Sequence, residues 1–147
     1  MKDVKFPIRF DASELCAPTL SEKLKMMRPM VHEYENRLSM VTDENALQAL
    51  ITKAEAGKLS LPEQKMAPGD SGSAIYQLVA VLTHEGRSTL SGHYIGWVKY
   101  GHKKWAKMDD STVTPVEEND ILKLSGGGES HSSYLLIYKS TKVNYKS

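Results

Sequence analysis

The sequence predicts an α+β fold, helices followed by a mostly antiparallel sheet, on three observations. Apolar residues recur at steps of three and four between Leu20 and Ala54. From Tyr76 onward the chain turns to β-branched and aromatic runs bounded by Gly, Ser and Asp. Its 147 residues, 40% hydrophobic and 25% charged, have the size and composition of one globular domain.

Taken in order, Val4, Phe6, Ile8 and Phe10 alternate with Lys5, Pro7 and Arg9, the period of a half-buried strand, and Pro7 restricts it to the margin of a sheet. The chain thus begins almost inside an element, the pattern of a piece of something longer. Thr19-Leu20-Ser21-Glu22 has the spacing of a capping box, and Leu20, Leu24, Met27, Val31, Tyr34 and Leu38 mark one helical face. Pro29 inside that face predicts a kink or break near Arg28. The stripe is shorter than three heptads, so packing on its own sheet is favoured over a coiled-coil seam. A second helix runs from Thr42 or Asp43 through Ala46, Leu47, Leu50, Ile51 and Ala54 to Gly57, its C-terminal cap, and residues 57–72 read as a linker.

Strands are then expected at Tyr76 to Thr83, Tyr94 to Tyr100, Trp105 to Met108 and Tyr134 to Lys139. Residues 85–92, rich in Gly and Ser, read as a loop between the first two. One short helix interrupts the sheet, opened by Thr114-Pro115-Val116-Glu117, carrying Ile121, Leu122 and Leu124, and stopped by Gly126-Gly127-Gly128.

Nineteen Lys and Arg against eighteen Asp and Glu leave a formal charge of +1, so no global field recruits nucleic acid or anionic lipid. A lone cysteine, Cys16, excludes an internal disulfide and a zinc site of several thiolates, and fits a reducing compartment. Met1 to Lys5 lacks the apolar core of a signal peptide, and the apolar stretch from Ala74 to Leu82 is interrupted by Gln77 and too short to span a bilayer. The expectation is a cytoplasmic chain, with the nucleus as a second compartment.

The most informative segment runs from His93 to Asp109. A hairpin turning about Gly101 pairs residues whose numbers sum to 202, which sets His93 opposite Asp109 and Trp97 opposite Trp105. A carboxylate there would fix the imidazole tautomer and leave the other ring nitrogen as a base. The spacing alone also describes a surface ion pair. Other constellations are poorer. Gly69-Asp70-Ser71-Gly72-Ser73 echoes a serine-protease nucleophile segment, but His93 and Asp109 follow it instead of preceding it. His32-Glu33-Tyr34-Glu35-Asn36 lacks the second histidine of a zinc-protease helix, and His84, His93, His102 and His131 show no metal spacing, so no metal or cofactor is expected. Structural or surface roles are expected for His84, His102 and His131.

The blocks Leu78 to Ser88, Ser91-Gly92-His93-Tyr94-Ile95-Gly96-Trp97-Val98-Lys99 and Trp105-Ala106-Lys107-Met108-Asp109-Asp110 closely resemble the histidine box of the ubiquitin-specific proteases. Leu124-Ser125-Gly126-Gly127-Gly128 and Ser133-Tyr134-Leu135-Leu136-Ile137-Tyr138 continue the resemblance, which is strong from Tyr76 to Tyr138, fair from Lys2 to Arg28 and absent between Val31 and Ser73. It implies a papain-like cysteine protease fold and hydrolysis of the isopeptide bond after the C-terminal glycine of ubiquitin. His93 would be the general base and Asp109 the residue that orients it, with Asp110 a secondary candidate. Glu85, Gly86, Arg87, Ser88, Ser91, Gly92 and Tyr94 would line the substrate channel and its gating loop. Met108 stands where the family usually has Phe.

The family's cysteine box is not matched. Cys16 in Glu14-Leu15-Cys16-Ala17-Pro18 reads as a structural thiol, so the chain is expected to be the C-terminal part of a catalytic domain, inactive alone, with residues 31–73 an insertion. Lys2-Asp3-Val4-Lys5-Phe6-Pro7 and Glu14-Leu15-Cys16 resemble the proteasome-associated members, which makes the proteasome an expected partner beside ubiquitin and its conjugates. Apolar surface left bare in such a piece would favour self-association. A non-catalytic ubiquitin-binding or scaffold module is the alternative from another class.

Overall fold

The computed structural model describes residues 4–43, 45–47, 49, 52, 72–88, 91–125 and 132–141. The architecture is α+β, as expected, with the sheet antiparallel along its β2–β5 ladder and the helices short. The strands are β1 (Arg9–Asp11), β2 (Ile75–Ser88), β3 (Ser91–Gly101), β4 (Lys104–Asp109), β5 (Thr112–Glu117) and β6 (Ser132–Ser140). They lie in one sheet of order β1-β2-β3-β4-β5, with β6 also paired to β2. The helices are α1 (Pro18–Lys25), α2 (Arg28–Met40) and α3 (Glu118–Lys123), with a 3-10 turn at Ala12–Leu15. Among the described residues, no helix is long and apolar enough to cross a membrane. The chain forms two compact units, Met1–Phe10 with Gln77–Lys139 and Asp11–Tyr76 with Ser140–Ser147.

The first unit holds the sheet core. Phe6, Leu78, Val81, Ile95, Trp97, Trp105 and Ile121 are buried together, with Ile8, Val116, Leu124, Leu136 and Tyr138 packed against them. Alternation along β3 explains the selection, because Ile95 and Trp97 face the core while Tyr94, Val98 and Tyr100 face outward. The Trp97 indole donates to Thr83 Oγ1 at 3.0 Å, so a buried aromatic enters with its polar atom satisfied.

In the second unit α2 packs Val31, with Met30 alongside, on Ile75. Arg28 ties this unit together by donating to Asp11 Oδ1 at 2.5 Å, to Ser13 Oγ at 2.8 Å and to the Ser73 carbonyl at 3.2 Å. Asp43 caps a further helical turn by accepting from the Ala46 amide at 2.7 Å. The expected stop at Gly57 and the linker up to residue 71 lie outside the described residues, as does the glycine stop at 126–128.

Several elements depart from expectation for local reasons. The first strand is only Arg9–Asp11, because Pro7 has no amide to donate and the Phe6 amide is taken by Ser125 Oγ at 3.0 Å. The helix foreseen at the Thr19 capping box opens two residues earlier, with Ala17 at the N-cap position, Pro18 in its first turn and no side-chain cap. The break near Arg28 is present, at Met26 and Met27, and Pro29 enters the first turn of α2 where its missing amide costs nothing. Thr114-Pro115 is the interior of β5 instead of a helix start. That strand lies at the end of the sheet order, where a proline is tolerated, and α3 is capped by Glu117, whose amide donates to Asp120 Oδ2 at 3.2 Å.

Candidate active site

The β3–β4 hairpin positions the site, in a register two residues away from the one expected. Val98 pairs with Ala106, Trp97 with Lys107 and Gly96 with Met108, so partner numbers sum to 204 instead of 202. The difference arises at the turn: the chain reverses at His102 and Lys103, where Lys103 takes a φ of 56°, and the register shifts between Lys99 and Gly101, leaving Tyr100 as an extra residue. Trp97 therefore faces Lys107 across the strands instead of Trp105. Continued one step, the register sets Asp109 across from Ile95 and makes His93 its diagonal neighbour. A slip of two keeps every side chain on its expected face, and diagonal neighbours remain within reach of long side chains.

His93 Nε2 lies 2.5 Å from Asp109 Oδ1, with the two side chains 40% and 32% exposed, accessible but not fully solvated. The Asp109 hydrogen bond is the main reason the His93 imidazolium is favoured and its pKa raised, with the charges of Asp109, Asp110 and Glu85 adding to it. The Asp109 carboxyl is held below its usual range first by Lys107 and then by His93. With Nε2 committed to the carboxylate, Nδ1 is the ring nitrogen left for chemistry.

Lys107 is the residue that the sequence reading missed. Its Nζ lies 2.9 Å from Asp109 Oδ2 and 5.9 Å from the centre of the Trp97 ring, so it anchors the second carboxylate oxygen from the same face of β4. The signal was available as the two-residue spacing from Asp109, which puts both side chains on one face of a strand.

Asp110 sits at φ 51° in the tight turn between β4 and β5, a conformation that Asp tolerates. One ligand atom each from His93, Asp109 and Asp110 lies within 4.8 Å of the others. Because the Lys107 ammonium already balances Asp109, this grouping suits proton transfer better than cation binding.

The described residues of the expected gating loop are strand instead. Glu85, Gly86, Arg87 and Ser88 complete β2, and Ser91, Gly92 and Tyr94 open and continue β3. Glu85 pairs with His93 and Ser88 with Ser91 across an irregularity in register. Gly and Ser there permit close strand approach, and the hairpin ladder extends further than their composition suggests. Tyr94 alternates with His93 and so lies on the opposite face. Cys16, half-buried in the second unit, donates its thiol to the Ala12 carbonyl at 3.3 Å.

A half-exposed imidazole held by a carboxylate on a neighbouring strand is an arrangement able to take up and return a proton. The family model for ubiquitin carboxyl-terminal hydrolase matches residues 1–138, and the chain belongs to that family. It is 33% identical over 154 residues to ubiquitin carboxyl-terminal hydrolase 7 of Arabidopsis thaliana, covering 98% of this chain and 32% of the relative. Ubiquitin carboxyl-terminal hydrolase 14 of Caenorhabditis elegans is 34% identical over 151 residues, covering 97% and 30%. Ubiquitin carboxyl-terminal hydrolase 6 of Schizosaccharomyces pombe is 33% identical over 160 residues, covering 97% and 34%. The chain spans about a third of the length of the curated relatives it matches.

Proposed function

We propose that this chain is the base-bearing part of a deubiquitinating thiol protease that hydrolyses the isopeptide bond after the C-terminal glycine of ubiquitin. The contact of His93 Nε2 with Asp109 Oδ1 carries the reading. In it His93 Nδ1 takes the proton of a cysteine thiol, and the thiolate attacks the scissile carbonyl. The resulting imidazolium returns the proton to the leaving amine. Asp109 holds the ring and balances its charge, and Lys107 holds Asp109. Cys16 is engaged structurally, so the nucleophile is assigned to residues outside these 147. Residues 31–73 form an insertion in this scheme, and Glu85 to Tyr94 lie along the path of the ubiquitin tail. The resemblance of Lys2 to Pro7 and Glu14 to Cys16 to proteasome-associated members supports action at the proteasome, in the cytoplasm.

The test is turnover of a ubiquitin C-terminal reporter by a protein that contains both this chain and the nucleophile. His93→Ala should lower kcat/KM about 10³-fold or more, and Asp109→Ala less, about 10²-fold, since a poorly oriented imidazole still accepts protons. Full activity in His93→Ala would refute the reading and favour a ubiquitin-binding module.

A further inference from the structure

A second histidine, nine residues before His93, is unexplained by the dyad. His84 in β2 is 5% exposed, and its Cα partner is Tyr94. Because Tyr94 alternates with His93, the His84 ring lies on the opposite face of the sheet from the dyad. Its ring centre is 4.5 Å from that of Tyr94 and 6.5 Å from that of Tyr134, whose rings meet edge to face at 5.8 Å. Among the described residues the buried His84 Nε2 has no hydrogen-bond partner. Its described surroundings hold the ring by packing, against the two tyrosine rings on one side and backbone on the other.

What the ring fills is the space beside Gly92. A Cβ on that residue would lie 2.3 Å from His84 Nε2, 2.8 Å from His84 Cε1 and 2.4 Å from the Glu85 carbonyl. Gly86, at φ 148°, meets the same ring: a Cβ there would lie 3.1 Å from His84 Cε1 and 3.0 Å from Gly92 Cα. One imidazole is therefore wedged against two residues that lack side chains, where the β2–β3 ladder leaves its regular register between Glu85 and Ser88. The residue next to Gly92 is His93.

We propose that His84 is a positioning residue for His93: its ring, packed against Gly92 from the back of the sheet, fixes the end of β3 and so the angle at which the His93 imidazole meets Asp109. Without the ring, Gly92 has backbone freedom and no side chain to restrain it, and a strand end so released frays. The importance for turnover rests on the reading of His93 as the base, but the positioning is measurable without turnover.

The experiment follows the titration of the His93 ring by NMR in the 147-residue chain, identified by the signal lost in His93→Ala. Asp109, with Asp110 and Glu85, holds that midpoint above the ordinary imidazole value. His84→Ala and Gly92→Ala should each move it down toward the value found in Asp109→Asn, while the circular dichroism spectrum stays that of the parent. His84→Phe, a flat ring of similar shape, should leave it near the parent value. In the turnover assay, His84→Ala should lower kcat about tenfold with KM unchanged. A parent midpoint in both His84→Ala and Gly92→Ala, with only thermal stability lowered, would overturn the proposal. Where His84→Ala does not fold, Gly92→Ala decides by the same two outcomes. If His93→Ala retains turnover, the catalytic reading fails while the midpoints still decide the positioning.

Discussion

Asp109 is gripped from both oxygens, by His93 at 2.5 Å and Lys107 at 2.9 Å, and the titrations of His93 and Asp109 limit the stability of this arrangement from opposite ends of the pH scale. The His93 pKa is raised from 6.5, so its contribution to stability is full below that value and fades as pH rises through the folded-state pKa. The Asp109 pKa is lowered from 3.8, so its contribution is full above that value and fades as pH falls through the folded-state pKa. In urea denaturation, the stability difference between the parent and Asp109→Asn should therefore peak between those limits and shrink on both sides. Lys107→Ala should move the acid-side loss to higher pH, because the larger of the two effects lowering Asp109 has been removed. An unmoved acid limb would show that Lys107 does not anchor the carboxylate.

At the level of elements, the Arg28 fork has the clearest energetic consequence. Arg28→Ala leaves the Asp11 carboxylate and the buried Ser13 hydroxyl without that donor, and should cost about 2 kcal/mol in chemical denaturation. Trp105→Ala, which empties a fully buried site of the sheet core, should cost about 3–5 kcal/mol. Strand identity was legible because Ile95 and Trp97 alternate strictly with Tyr94 and Val98, and the break before α2 was legible because Pro29 has no amide. The register was less so. Whether a reversal sits at Gly101 or at His102 and Lys103, with Tyr100 bulged, depends on the backbone conformation of Lys103, which no local preference announces. Thr114-Pro115 misled for the opposite reason, since a capping residue followed by proline also suits an edge strand. The dyad survived both effects because parity, not register, decides its face. Lys107 escapes a pairwise reading because the carboxylate it holds, Asp109, also has a partner in His93.

For the whole chain, the outcome expected with a ubiquitin-based electrophilic probe is no adduct with either the parent or Cys16→Ser, measured by mass spectrometry. An adduct that depends on Cys16 would make that thiol the nucleophile and overturn its structural assignment. The sheet face opposite the dyad exposes Val98, Met108 and Val113, which the register brings side by side. Sedimentation should therefore show association that rises with concentration and weakens in Met108→Lys. The order of the strands has one more consequence. From β2 to β5 each strand pairs with the next in sequence, so the 16-residue separation between His93 and Asp109 closes within a single hairpin. Loops this short carry little closure entropy, and hairpins form in about 1–10 μs. The dyad is thus a kinetically local feature. In pulse-labelled refolding, the amides of β3 and β4 should gain protection early, so that imidazole and carboxylate meet before the longer-range pairing of β6 with β2 forms.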